Sequence, residues 1–247
     1  MIDRLILALQ FLSIIPLKAR SAKPKEMAGS LVWFPFVGLL LGLILAGAQS
    51  IFYWLGVNPL TADICLVVLL AGLTGGMHLD GLADTFDSLF RPAGKEEILR
   101  IMRDPHIGAM GVVSIACALL LKIALLANLG SQLKPLALIL MCVFSRWSMV
   151  LAMFKFNYAR KEGKAAAFME NINYRIFLYA TIFTLFLGIL IWSVGGLLLF
   201  GAIAVFTLLF CSFVQKKISG ITGDTLGALL EINEILALAA VFFLAKL

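Results

Sequence analysis

Two apolar runs stand almost end to end, Ile176-Phe-Leu-Tyr-Ala-Thr-Ile-Phe-Thr-Leu-Phe-Leu-Gly-Ile-Leu-Ile-Trp-Ser193 and Gly195-Gly-Leu-Leu-Leu-Phe-Gly-Ala-Ile-Ala-Val-Phe-Thr-Leu-Leu-Phe-Cys-Ser-Phe-Val214. Neither contains a charged residue, and each approaches the ~20 residues an α-helix needs to cross about 30 Å of hydrocarbon. Gly195-Gly196 marks a tight connection between them. The whole chain agrees: 62% of its 247 residues are hydrophobic and 14% are charged, where soluble domains carry about 25% charged. Mean hydropathy is +1.04. One soluble core could not hide so much apolar surface, so a lipid bilayer is the solvent for most of the chain.

Working outward, the remaining spans are expected at about 31–55, 60–79, 107–129, 135–154 and 225–245. The prediction is an all-α, polytopic membrane protein with about seven transmembrane helices in a single domain over residues 1–247. Ahead of them, Leu5–Leu17 contains Pro16 and is too short to cross. With Arg4, Lys18, Arg20, Lys23 and Lys25 around it, this stretch reads as an interfacial helix, with a short re-entrant segment as the alternative. It ends in basic residues and has no small-residue cleavage site, unlike a signal peptide. Gly38, Gly42 and Ala46 form a stripe of small residues that lets helices approach closely.

The connections alternate in character. Those at 56–59, 130–134 and 194–196 hold one basic residue, Lys134, whereas the others carry Arg91, Lys95, Arg100, Arg103, Lys155, Arg160, Lys161, Lys164, Arg175, Lys216 and Lys217. The positive-inside rule puts the basic side in the cytoplasm and the C-terminus outside. The formal charge of +6 is thereby explained without nucleic acid, since no basic stripe with interleaved aromatics is present. Cys65, Cys117, Cys142 and Cys211 lie singly within apolar runs and suggest neither zinc nor a disulfide framework. No Walker A motif is present.

Chemistry concentrates in a few stretches. In Thr74-Gly-Gly-Met-His-Leu-Asp-Gly-Leu-Ala-Asp-Thr-Phe-Asp87, Asp80, Asp84 and Asp87 stand at i, i+4 and i+7, within one helical face. Three like charges there repel, and a divalent cation with hard oxygen ligands would resolve the conflict. The competing reading is a solvated acidic face. Gly76 and Gly81 suit close approach of a bulky ligand, and His78 would bond either a phosphate or a backbone group. The last span opens with Gly223-Asp-Thr-Leu-Gly-Ala-Leu-Leu-Glu-Ile-Asn-Glu234. Asp224 and Glu231 share a face, and an acid within a span marks a functional site by default. Asp224 could also simply cap the helix.

Arg100, Arg103 and Asp104 sit at the mouth of the 107–129 span, where guanidinium groups suit phosphate or serve as membrane anchors. Arg160 is a further phosphate ligand in a loop. Arg146 lies near mid-span and requires a carboxylate or a substrate phosphate. Lys122 is expected to snorkel toward the outer interface. Carboxylates and cations on one side of the membrane suit phosphoryl transfer, which asks mainly for metals, phosphate-binding cations and an aligned nucleophile.

Together the blocks Gly75-Gly-Met-His-Leu-Asp-Gly-Leu-Ala-Asp-Thr85, Thr222-Gly-Asp-Thr-Leu-Gly-Ala228, Met102-Arg-Asp104 with Ile107-Gly108, and Tyr158-Ala-Arg160 with Gly163 resemble the cobalamin synthase family, adenosylcobinamide-GDP ribazoletransferase. Phe34-Pro-Phe-Val-Gly-Leu39 and the Phe11-Leu12 to Pro16-Leu17 element extend the likeness over essentially the whole chain. Ser88 and Pro105-His106 depart from the pattern, which has Gly and Ser-Arg there. The resemblance implies an inner-membrane enzyme with its active site facing the cytoplasm. It would join adenosylcobinamide-GDP to α-ribazole or α-ribazole 5′-phosphate, release GMP, and use Mg²⁺, with Mn²⁺ as a substitute. Read onto this chain, Asp80, Asp84, Asp87 and Asp224 would be catalytic, and the same four with Glu231 would hold metal. His78, Arg103, Asp104, Arg146, Arg160, Gly76, Gly81 and Gly223 would bind substrate. A homo-oligomer is compatible with this reading. A membrane CDP-alcohol-type phosphotransferase and a cation-coupled transporter are the alternatives.

Overall fold

The computed structural model describes residues 2–17, 19, 23–160, 162–163 and 165–245. Lys161 and Lys164, counted above toward the basic side, lie outside these, as do Lys18 and Arg20 beside the N-terminal helix and residues 246–247. Eleven α-helices follow in order among the described residues: α1 Ile2–Leu12, α2 Pro24–Ser30, α3 Phe34–Trp54, α4 Pro59–Leu73, α5 Met77–Leu89, α6 Lys95–Ile101, α7 Ala109–Asn128, α8 Lys134–Lys155, α9 Ala166–Met169, α10 Tyr174–Ile218 and α11 Gly223–Leu244. The protein is all-α. By length and composition five helical segments can cross a membrane, and the bent pair α4–α5 raises this to six.

The segment called α10 is interrupted where the sequence runs abut. Trp192 and Ser193 have non-helical backbone angles, and a Cβ on Gly196 would overlap the Gly188 carbonyl. Eight residues along a straight helix are about 12 Å apart, so the chain doubles back here. Trp147 of α8 touches both arms: its indole N–H donates to Thr181 at 3.0 Å, and its ring lies 4.2 Å from that of Phe200.

α8 is the central post. Nearly every residue from Leu140 to Met153 is buried, the expected state of a helix that is apolar all round. α3 lies along it through the small-residue stripe, with Gly38 against the Cys142 backbone and Gly42 against that of Ile139. At one end of the bundle, Lys134 is buried and paired with Asp63 at 2.7 and 2.8 Å. The one basic residue of the short connections is therefore neutralised.

The apolar run expected to continue to residue 79 breaks earlier. α4 ends at Leu73, and α5 leaves it at 88° through Gly75 and Gly76, whose φ values of +63° and +69° disfavour side-chain-bearing residues. Ile14 N donates to the Leu73 carbonyl at 2.9 Å. Phe11 meanwhile stacks on Phe34 at 5.5 Å. The N-terminal helix is thus docked beside the bend that aims the acidic helix.

Candidate functional site

Asp80 and Asp84 project from successive turns of α5. α11 crosses this helix so closely that a Cβ on Gly81 would lie 2.7 Å from the Asp224 carbonyl oxygen. Asp84 therefore feels the charges of Asp80 and Asp224, with Arg160 as the offsetting cation. Arg160 Nη2 lies 2.8 Å from Asp224 Oδ2. Nη2 is thus held by Asp224, while Arg160 Nε is buried without a hydrogen-bond partner.

The loop carrying Arg160 is stapled to the start of α11. Ala159 N donates to the Ile221 carbonyl and Ile221 N to the Asn157 carbonyl, each at 2.8 Å. Thr222, not Asp224, caps α11: its hydroxyl accepts from Thr225 N and its own N–H donates to the Thr225 hydroxyl. Asp224 instead faces the cleft, where its Oδ2 pairs with Arg160 and accepts from the Thr222 hydroxyl at 3.4 Å. Burial pushes the Tyr158 phenol above its ordinary range, with the Asp224 charge adding to the effect and Arg160 opposing it.

Asp80, Asp224, Arg160 and Tyr158, with Asp84 within reach of their charges, line a cleft of about 370 Å³ together with His78, Gly223 and Gly227. Phe11, Met77 and Met149 give it an apolar wall. The His78 Nδ1 atom is buried and unpartnered. Gly76 forms the left-handed entry to α5. Arg103 stands across Arg160, lining a neighbouring cavity of about 590 Å³. Asp104 is exposed and accepts from the His106 backbone and ring; those hydrogen bonds hold its carboxyl below the usual range.

Three side chains do other work than the sequence suggested. Asp87 shares the α5 helix, yet its carboxylate turns to the start of α7, accepting from Gly108 N at 2.7 Å and Gly111 N at 2.9 Å. It is a cap supplied from another helix. Glu231, seven residues after Asp224 and so about 10 Å further along α11, accepts from Lys122 at 2.6 Å. Lys122 does not snorkel: it is 3% exposed and also pairs with Glu234. Arg146 is fully buried and pairs with Glu234. Two cations and two anions thus cancel inside the bundle, one to two turns below the cleft, because an unpaired charge there would cost several kcal/mol.

Among the described residues no three carboxylate, imidazole or thiolate groups are gathered tightly enough to hold a metal ion unaided. Asp80, Asp84 and Asp224 nevertheless supply hard oxygens in excess of the single nearby guanidinium. That donor set fits Mg²⁺, which commonly takes one or two carboxylates and completes its shell with substrate phosphate and water.

The fold and site define an integral-membrane helical protein with a carboxylate–guanidinium cleft at the end of its bundle. The chain belongs to the cobalamin-5-phosphate synthase family, whose model matches residues 4–242. It is 39% identical to the adenosylcobinamide-GDP ribazoletransferase of Desulforamulus reducens, over 95% of this chain and 94% of that one. The enzyme of the same name from Geotalea daltonii is 37% identical over 94% and 93%, and that of Clostridioides difficile 34% over 98% and 97%. No solved structure matches the chain.

Proposed function

We propose that this protein transfers the adenosylcobinamide phosphate group from adenosylcobinamide-GDP to α-ribazole or its 5′-phosphate, releasing GMP. The observation that carries the reading is the meeting of Asp80, Asp224 and the Arg160 guanidinium in one cleft, with Asp84 within reach of their charges, in a chain similar from end to end to enzymes of that name. The ribazole 3′-hydroxyl attacks the phosphorus next to cobinamide. The new O–P bond forms as the bond to the GMP oxygen breaks, and the hydroxyl proton passes to a free carboxylate oxygen of Asp80. The Arg160 guanidinium donates to phosphoryl oxygens. Met77, Met149 and Phe11 give the bulky corrinoid an apolar wall. Asp80, Asp84 and Asp224 would hold Mg²⁺, which supplies Lewis-acid neutralisation of the phosphoryl charge.

The basic face points this cleft to the cytoplasm of a cell (inner) membrane. The buried charges of α7, α8 and α11 are compensated among themselves, so they give the transporter alternative no uncompensated coupling site. The test is direct. Purified protein given adenosylcobinamide-GDP, α-ribazole and Mg²⁺ forms a cobalamin and GMP in equal amounts. Absence of GMP under conditions where the protein remains folded would overturn the reading.

A further inference from the structure

We propose that the cavity lined by α6, Arg103, Arg160 and Glu162 is the guanine nucleotide subsite, with Arg103 and Arg160 holding phosphate and the carboxylates of Glu96 and Glu162 reading the base. The proposal rests on the transfer reaction given above and assigns its leaving group a place. Arg160 lines both this cavity and the carboxylate cleft, so a phosphate bound by its guanidinium lies at the boundary between them. Arg103 is exposed into the cavity and among the described residues makes no ion pair. Arg100, by contrast, is occupied by Glu97 through two hydrogen bonds of 2.8 and 2.7 Å. The cavity therefore has one guanidinium, Arg103, without an ion pair among the described residues, and a second, Arg160, shared with Asp224.

The acids decide what the phosphate is attached to. Glu96 and Glu162 line the same cavity and would repel a bare phosphate. Carboxylates become useful when the ligand brings paired donors, and guanine does so with N1–H and its 2-amino group. Adenine lacks that donor pair, and the base of α-ribazole offers no such edge. Leu99 supplies an apolar surface for the base. The methionine- and phenylalanine-walled cleft on the other side of Arg160 offers a corrinoid the apolar wall that this charge-lined cavity lacks.

The experiment uses the full-length protein in detergent with GMP, AMP and IMP as calorimetric titrants, and steady-state kinetics alongside. GMP is expected to bind at least about tenfold more tightly than AMP, with IMP, which lacks the 2-amino group, between them. Glu96→Gln or Glu162→Gln should erase that preference while leaving AMP unchanged, and Arg103→Gln should weaken both nucleotides alike. Equal binding of GMP and AMP by the wild type would overturn the assignment, as would an undiminished preference in both Gln variants. So would an Arg103→Gln variant that raises the KM of α-ribazole 5′-phosphate, spares α-ribazole and leaves GMP binding intact, because the cavity would then hold the acceptor's phosphate. Turnover without GMP preference removes the subsite alone. Selective GMP binding without any turnover of adenosylcobinamide-GDP removes the reaction and keeps the subsite.

Discussion

Arg146 of α8 is ion-paired with Glu234 of α11, and neither is more than 1% exposed. With Lys122 and Glu231 they form a neutral quartet. Removing one member leaves a charge with no water to receive it. Arg146→Leu is expected to lower stability in detergent by about 3–5 kcal/mol, or to abolish folded yield. Arg146→Leu combined with Glu234→Leu restores neutrality, leaving Lys122 on Glu231, and should recover most of the loss. Thermal unfolding of both variants checks this. A double variant no better than the single would mean that shape, not charge balance, holds the quartet.

Asp87 is expected to behave as a cap. Asp87→Ala frees the Gly108 and Gly111 N–H groups and should cost about 0.5–2 kcal/mol, the range for lost helix caps. The Mg²⁺ concentration giving half-maximal rate should stay where it is in the wild type. A large rise in that concentration with unchanged melting would instead place Asp87 among the metal ligands.

Close approach of α5 and α11 makes Gly81 a spacing residue. The Cβ of Gly81→Ala would meet Asp224 backbone, which cannot rotate away. The helices must part by several tenths of an ångström, carrying Asp224 away from Asp80 and Asp84. Turnover should fall about tenfold or more, since misplacement near 1 Å can cost about a hundredfold. Normal kcat in Gly81→Ala would show that the carboxylates tolerate separation.

How much of this was legible in the sequence depends on the reach of each signal. The doubling back of α10 could be read because Gly195-Gly196 sits in the chain beside the two runs it joins, and the break falls just ahead, at Trp192 and Ser193. The Asp80–Asp84 face followed from helical period. Period could not show that Asp87 turns aside, because its partners lie 21 and 24 residues on, at the start of another helix. Lys122 looked like a snorkelling residue for the same reason. Its acids are 109 and 112 residues away, and no local pattern announces a pairing across helices. Local pattern points to Asp224 and not Thr222 as the cap of α11, because Thr225 stands where Glu or Gln is the usual capping-box partner.

The orientation is tested by single cysteines on a background lacking the native four. Lys95→Cys and Gln132→Cys both fall at exposed positions, at opposite ends of the bundle on the assignment above. An impermeant reagent added to intact cells should label Gln132→Cys, and Lys95→Cys only after the membrane is opened. The reverse pattern would invert the topology and put the carboxylate cleft outside.

The central claim is that Asp80, Asp84 and Asp224 act through a divalent cation, and one assay bears on it most directly: GMP release measured for wild type and Asp84→Asn across a Mg²⁺ titration. Asp84→Asn keeps the side chain's shape and removes one charge from a self-repelling group. Membrane yield and melting without metal should therefore stay equal or rise, while GMP release falls by on the order of a hundredfold or more. EDTA should silence the wild type, and Mg²⁺ or Mn²⁺ should restore it. Near-normal turnover by Asp84→Asn, or a wild type that remains active under chelation, would contradict the carboxylate–metal account.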